Sequence, residues 1–250
     1  MIFAAGMGTR LKPLTDTMPK ALVRVGGEPL LKRIILKLSA SGFTHIVVNV
    51  HHFAEMITTY LAENHNFDTD IQISPEPVLL ETGGGIRHAE KLFRPGEPIL
   101  IHNVDILSNV NLDAFYNQFK GDATLLVSSR QTSRYLLFNS EMRLVGWVNI
   151  KTGEVKSPYA EVKQAAANIP TLMAGQTAYK AFAFSGIHVF SPRLFSFMQS
   201  WPEKFPIIDF YLQVCSKAEI YGYVDSNLHL LDVGKLDTLQ QAEEFVEGKH

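Results

Sequence analysis

Thiol chemistry is nearly absent from this chain: its 250 residues include one cysteine, Cys215. An internal disulfide and any cysteine-rich zinc centre are therefore excluded. Nine histidines are scattered through the sequence without an H-x-x-x-H spacing, so a helix-borne zinc site is not expected either. Net charge is scarce as well. Lys plus Arg is 23 and Asp plus Glu is 25, which leaves −2. A nucleic-acid binder usually carries a basic face that neutralises phosphates, and this balance argues against one. A small phosphorylated ligand stays open, because one local cluster of cations is enough for it. No apolar run reaches the roughly 18 residues that span a bilayer. The first residues also lack the charged start and small-residue cleavage site of a secretory signal. The expectation is a soluble cytoplasmic protein, monomer or homodimer, with no nucleic-acid or membrane partner. What the chain does have is a core: 46% of residues are hydrophobic and 19% charged, which excludes a disordered chain.

The apolar pattern sets the organisation. Met1 to Ala5 reads as a buried strand entering a glycine loop, and its abrupt start points to residues preceding Met1. Pro29 to Ser41 places Leu30, Leu31, Ile34, Ile35 and Leu38 at helical spacing, with Gly42 at the stop. His45–Val50 reads as a strand, Phe53–Asn64 as a helix, Asp70–Ser74 as a strand, Gly84–Phe93 as a helix and Pro98–Asn103 as a strand. This alternation predicts crossover units, a largely parallel sheet and helices on both faces. After Asn111 the rhythm changes. A helix over Leu112–Phe119 is followed by strands at Ala123–Ser129, Tyr135–Phe138 and Leu144–Asn149. Lys156–Lys180 has no clear period and reads as a loop or insertion with room for a short helix. Ala181–Phe190, Ile220–Val224 and His229–Val233 read as strands, Phe205–Lys217 and Lys235–Glu247 as helices. One α/β domain over residues 1–250 is expected.

The chemistry gathers at a few points. Gly6-Met7-Gly8-Thr9-Arg10 follows the first strand, and glycines there let backbone N–H groups approach an anion. Leu11 stands where a dinucleotide fingerprint needs its third glycine, and no Gly-Lys-Ser/Thr follows, so neither common phosphate motif is present. Arg10, Lys12 and Lys20 put three cations in one loop stiffened by Pro13 and Pro19, which suits a polyphosphate; Lys12 also reads as a merely solvated residue. Asp105 and Asp232 each close an apolar strand. Ligands of open α/β sheets bind at such carboxyl ends, although either aspartate could instead cap a following helix.

The run from Gly6 to Lys20, G-M-G-T-R-L-K-P-L-T-D-T-M-P-K, resembles the signature of the sugar-1-phosphate nucleotidyltransferases. The resemblance continues through Leu80-Glu-Thr-Gly-Gly-Gly85, Asn103-Val-Asp105, Phe184-Ser-Gly-Ile187 and Leu231-Asp-Val-Gly234. Within that family the Glu-Thr-Gly-Gly-Gly run and the compact length look most like bacterial N-acetylmuramate-1-phosphate uridylyltransferases, with mannose-1-phosphate guanylyltransferases and heptose-phosphate nucleotidyltransferases as competitors. The resemblance implies a Rossmann-like three-layer sandwich with a mostly parallel mixed sheet. Its nucleotide-binding half would be about 1–110 and its sugar-binding half about 111–250. It implies a nucleoside triphosphate and a sugar 1-phosphate as substrates, with Mg²⁺ as cofactor. It casts Arg10 and Lys20 as catalytic residues, and Ala5, Gly6, Gly8, Thr9, Glu81 and Gly84 as nucleotide-binding. Asp105 and Asp232 become metal ligands, and Asn103 and Gly186 sugar contacts. Two departures stand out: Val104 replaces a glycine usual before the metal aspartate, and the Glu-Lys-Pro run common in sugar-binding relatives is missing. Trp147, the 156–180 insertion and Asp209 are then expected to shape the sugar pocket. A nucleotide-sensing module and a nucleotide-sugar glycosyltransferase are the readings from other classes.

Overall fold

A computed structural model describes residues 1–248. In chain order it contains β1 (Ile2–Phe3), the hairpin β2 (Arg24–Val25) and β3 (Glu28–Pro29), α1 (Leu30–Ala40), β4 (His45–Val50), α2 (Ala54–Glu63), β5 (Asp70–Pro75), α3 (Glu81–His88), β6 (Ile99–Asn103) and β7 (Ile106–Ser108). There follow α4 (Leu112–Tyr116), β8 (Ala123–Ser128), β9 (Arg134–Phe138), β10 (Leu144–Asn149), β11 (Val155–Lys156), α5 (Ala160–Ala166), α6 (Ile169–Met173) and β12 (Lys180–Phe190). The remainder is α7 (Phe195–Met198), α8 (Ile207–Val214), β13 (Ile220–Val224), β14 (Leu230–Asp232) and α9 (Asp237–Val246).

The main sheet has ten strands in the order β11-β10-β9-β12-β6-β1-β4-β5, with β8 also on β12 and β13 on β8. Its first-half strands β5, β4, β1 and β6 are mutually parallel. The second half is antiparallel apart from the parallel β8–β13 pair. The near-continuous apolar runs of the parallel strands fit burial on both faces. Alternation along each strand divides the side chains between two cores. Ile46, Val48 and Leu100 pack with α1, Ile57 and Leu61 of α2, and Ala242 of α9. Val47, Ile99 and Ile101 pack on the other face with Ile86, Met198, Phe210 and Tyr211.

Two elements differ from the sequence expectation. Residues 156–180 hold two short helices, α5 and α6, between stretches of loop, where room for one was expected. Asn168 caps α6 through Thr171 N at 3.2 Å, and Val162, Ala166 and Leu172 form a small core with Tyr135, Leu137, Val145 and Val148. The segment is too short and too broken by Pro170 to show a period, so it is fixed by packing on the β9–β10 hairpin. The final strand, β14, is not part of the main sheet; it pairs antiparallel with β7 in a two-stranded sheet of their own.

Strand β12 shapes the mouth of the fold. It pairs with β9 over Lys180–Phe182 and with β6 over Ile187–Phe190. Its register against β8 shifts between Phe184 and His188. Gly186 sits in that bulge with φ +74°, and a Cβ there would lie 2.8 Å from Asn103 Nδ2. Only glycine meets both conditions without strain.

Candidate active site

The parallel strands deliver their carboxyl ends to one rim, and a cavity of about 360 Å³ opens there. Its wall runs from Phe3 through Ala5, Gly6, Gly8, Thr9 and Arg10 to Lys20, Asn103 and Asp105, with Glu81, Thr82 and Gly234 closing it. Eight of the residues singled out in the sequence for the nucleotide and its chemistry thus meet in one cleft: Ala5, Gly6, Gly8, Thr9, Arg10, Lys20, Glu81 and Asp105. Asn103 joins them. Gly84, Gly186 and Asp232 are not on the wall.

The loop after β1 is shaped by Gly8, at φ +63°. Its carbonyl accepts from Leu11 N at 2.8 Å and from Thr15 Oγ1 at 2.8 Å. A Cβ on Gly8 would meet Thr15 Cγ2 at 2.8 Å, whereas one on Gly6 would meet nothing within 4 Å. Gly8 is therefore needed for the turn, and Gly6 leaves open space at the cavity wall. Lys12 pairs with Asp16 at 2.9 Å on the surface, outside the cavity, in accord with a solvated role. Lys20 is only 8% exposed, and its ammonium is ion-paired with the Asp105 carboxylate.

Asp232 reaches this neighbourhood through strand register. It lies opposite Ile106 in the β7–β14 pair, and Val233 N donates to Asp105 O at 2.8 Å. Two aspartates more than a hundred residues apart in sequence are thereby neighbours. Burial raises the Asp232 pKa above its ordinary value, and the Asp105 charge raises it further, against the pull of Lys20, Arg10 and Arg130. Its Oδ1 is buried and has no hydrogen-bond partner among the described residues. An oxygen left unsatisfied beside a second carboxylate is what a hard divalent cation would relieve, and two carboxylates are the usual protein share of a magnesium site. The donor set therefore fits the ion. Gly234 packs tightly here: a Cβ would lie 2.6 Å from Asp232 Oδ1 and 2.8 Å from Arg10 Nη2.

Gly84 lies off the cavity wall, packed inside α3. Gly83, Gly84 and Gly85 lie inside α3 and are buried. Gly83 N and Gly84 N both donate to Phe205 O, at 2.9 and 3.2 Å. A Cβ on Gly83 would run into the Phe205 ring, and one on Gly84 into the Glu203 carbonyl. Gly83 and Gly84 let α3 dock on the segment before α8, and Gly85 packs against Glu76, Phe3 and Asn49; none of the three is on the cavity wall. Glu81 and Thr82 are. Glu81 has φ +60°, a left-handed conformation uncommon for a residue with a side chain. Flanking bonds hold it: Leu80 N donates to Glu76 Oε2 at 3.0 Å, and Ile207 N to Thr82 Oγ1 at 2.9 Å.

Two buried polar residues of the wall escaped the sequence reading. Asn49 is 1% exposed and Glu76 is 4% exposed. Asn49 Oδ1 accepts from Ala4 N at 2.7 Å, and its Nδ2 donates to Glu76 Oε1 at 2.6 Å. They tie the ends of β1, β4 and β5 to the start of α3. The available signals were an amide inside the apolar run His45–Val50 and an acid between two prolines. Trp147 stands opposite Lys156 in the β10–β11 pair. Lys156 Nζ bonds Asp209 Oδ1 at 3.0 Å and lies 5.3 Å from the Trp147 ring centre. The three features expected to shape a sugar pocket thus converge, with Asp209 on α8 two residues beyond the bond to Thr82.

A family model described as "Nucleotidyl transferase" matches residues 1–141. The chain is 41% identical over 117 residues to N-acetylmuramate alpha-1-phosphate uridylyltransferase of Neisseria meningitidis serogroup B, covering 46% of this chain and 50% of that protein. It is 44% identical over 108 residues to the protein of that name from Caulobacter vibrioides, covering 42% and 44%. A mannose-1-phosphate guanyltransferase of Neurospora crassa is 36% identical over 141 residues, covering 54% and 39%. The chain thus spans about half the length of the curated relatives it matches, or less. In structure it is similar to a putative glucose-1-phosphate thymidylyltransferase from Bacillus anthracis, with a TM-score of 0.77, 17% identity, and 98% and 93% of the two chains covered. That likeness carries the fold: the sheet and its helices have the nucleotide-diphospho-sugar transferase architecture.

Proposed function

The chain belongs to the nucleotidyl transferase family, and from that premise we propose that it transfers a nucleotidyl group from a nucleoside triphosphate to a sugar 1-phosphate. The observation that carries the proposal is the single cleft in which the Gly6–Arg10 backbone, Lys20 and Asp105 meet, with Asp232 held beside Asp105. A phosphate oxygen of the acceptor attacks the α-phosphorus. A new P–O bond forms, the bond to the bridging oxygen breaks, and pyrophosphate leaves. No covalent intermediate on the protein is required, so the work is positioning and charge neutralisation.

Ala5, Gly6, Gly8 and Thr9 bring backbone close to the triphosphate. The planar fork of Arg10 holds two phosphate oxygens and stabilises the transferring group and the departing pyrophosphate. Lys20 places a point charge where donor and acceptor phosphates meet, and its pairing with Asp105 keeps it there before substrate arrives. Glu81 accepts from a ring N–H of the base, aimed by its constrained backbone. Asp105 and Asp232 would hold Mg²⁺, which when bound neutralises charge on the phosphates. Asn103 lines the side on which the sugar lies, and Gly186 packs behind it.

The preferred substrates are UTP and N-acetylmuramate 1-phosphate, supported by the Neisseria and Caulobacter relatives. Guanylyl transfer to mannose 1-phosphate is the second reading, supported by the Neurospora relative. Glu81 does not separate them, since uracil and guanine both present a ring N–H. The deciding experiment incubates the protein with each nucleoside triphosphate, magnesium and a panel of sugar 1-phosphates, and follows pyrophosphate. Release with UTP and N-acetylmuramate 1-phosphate above all other pairs supports the preferred reading. Nucleotide binding without release for any pair overturns the activity.

A further inference from the structure

The sugar phosphate brings its own negative charge to a place that already holds two carboxylates. Lys20 is occupied by one of them, and Arg10 belongs to the loop after β1, on the nucleotide side. Lys20 is thus the one cation so far set between donor and acceptor, and the topology offers a second on the acceptor side. Strand β8 runs antiparallel to β12, which runs antiparallel to β6. So β8 and β6 point the same way, and Arg130, just beyond β8, reaches the same rim as Asn103 and Asp105. In the sheet order, β1 with Arg10 lies to one side of β6, and β8 with Arg130 to the other.

The guanidinium is anchored at that spot. Arg130 Nη2 donates to Phe184 O at 3.0 Å, two residues before Gly186, which packs against Asn103. Its positive charge is felt at Asp232. Among the described residues it forms no ion pair with any carboxylate. Several other arginines are committed. Arg33, Arg143 and Arg193 pair with acids, and Arg87 donates to the carbonyls of Met198, Trp201 and Pro202. Arg130 is an exposed guanidinium fixed by one carbonyl, with the rest of its fork free for paired oxygens.

We propose that Arg130 is an acceptor-binding residue whose free guanidinium edge takes paired anionic oxygens of the sugar phosphate, either the 1-phosphate itself or a carboxylate carried by the sugar. This rests on the reading of the cleft as a nucleotidyltransferase site. A merely structural Arg130 would close the β8–β12 end through Phe184 O and nothing more, and the two roles separate in kinetics.

The test measures pyrophosphate release by the full chain, Arg130→Gln and Arg130→Lys, with UTP and either N-acetylmuramate 1-phosphate or N-acetylglucosamine 1-phosphate. These acceptors share the phosphate and differ in the carboxylate. The expected result for Arg130→Gln is an acceptor KM raised on the order of 10- to 100-fold, with KM for UTP and the urea midpoint unchanged. Arg130→Lys should restore part of the loss. A rise with both acceptors identifies the phosphate as the group held, and a rise with the muramate compound alone identifies the carboxylate. An unchanged acceptor KM in Arg130→Gln overturns the assignment and leaves the activity standing. So does an equal loss in both substrates accompanied by a lower urea midpoint, which marks a structural role. Absence of release by the unaltered protein with every pair overturns the activity and this assignment together.

Discussion

Replacing Gly84 by alanine sets two physical effects against each other, and their balance tells whether the glycine run packs a helix or faces a ligand. Alanine favours a helix by about 1 kcal/mol over glycine. Gly84 is inside α3, so propensity alone predicts a more stable protein. Packing predicts the opposite. The new Cβ collides with the Glu203 carbonyl and crowds Leu80 Cβ at 3.1 Å. A backbone carbonyl is not the free end of a flexible side chain, so the 201–206 segment must move as a unit. Overpacking of this kind costs about 1–3 kcal/mol. Movement also loosens the bonds from Gly83 N and Gly84 N to Phe205 O, worth about 1 kcal/mol each. Setting about 3–5 kcal/mol of cost against about 1 of gain leaves a net loss of roughly 2–4 kcal/mol. For a chain of this size that lowers Tm by roughly 5–15 °C.

Urea unfolding of Gly84→Ala and the unaltered protein measures the difference, with Gly6→Ala as the contrast. A Cβ on Gly6 meets nothing within 4 Å, so its stability should be unchanged while nucleotide affinity falls, because the methyl enters the cavity. A Gly84→Ala protein as stable as the original, or more so, with weakened nucleotide binding would refute the packing argument and return Gly84 to the nucleotide.

Other outcomes follow from the same geometry. Asp105→Asn and Asp232→Asn should each lower pyrophosphate release on the order of 100-fold or more; unchanged rates in both would remove them from the site. Magnesium should raise the unfolding midpoint of the unaltered protein and leave that of Asp232→Asn where it is, which calorimetry reads without turnover. Asn49→Leu keeps the volume but strands Ala4 N and Glu76 Oε1; a loss of about 1–3 kcal/mol in urea is expected. Two buried histidines set the acid limb. Burial lowers His102 to about 4 and His188 to about 3 from 6.5. The unfolded chain therefore takes up these protons first. Their contribution to stability is full above pH 6.5 and falls below it, by up to about 1.4 kcal/mol per pH unit for each histidine. In His188→Gln the slope of urea stability between pH 6 and 5 should be shallower by about 1 kcal/mol per pH unit; an unchanged slope would show that His188 is not held neutral.

Much of this was legible because buried strands and amphipathic helices announce themselves locally. His45–Val50, Ala123–Ser128 and the α1 face of Leu30, Leu31, Ile34, Ile35 and Leu38 need no partner to be recognised. The cation loop was legible for the same reason: Gly6, Gly8, Arg10 and Lys20 lie within 15 residues. The glycines of α3 show where local pattern misleads. A glycine marks close approach, but the sequence does not say whether a ligand or a neighbouring backbone approaches. Asn49 and Glu76 were passed over because each looks like a lone polar residue until the other is placed beside it. The helices α5 and α6 are too short to carry a period, and only their burial against β9 and β10 defines them.

The aspartate pair is the clearest case of information that lies in pairing rather than pattern. Each carboxylate sits at a strand end, which suggested one sheet with both at its rim. The strands that bring them together are instead the three-residue β7 and β14, whose few hydrogen bonds lie outside the main sheet. The family match ends at residue 141, so it includes Arg10, Lys20 and Asp105 and stops short of Asp232. What joins the fourth residue to the other three is the register Asp232–Ile106 and the bond from Val233 N to Asp105 O. The arrangement has a consequence for how such a site is built. The ten-stranded sheet fixes the glycine loop on the cavity wall, while a separate ribbon fixes the second carboxylate. The spacing of the two carboxylates therefore depends on a ribbon that the core packs only in part: Ile106, Leu107 and Val233 are buried, but Leu230 and Leu231 are only half-covered.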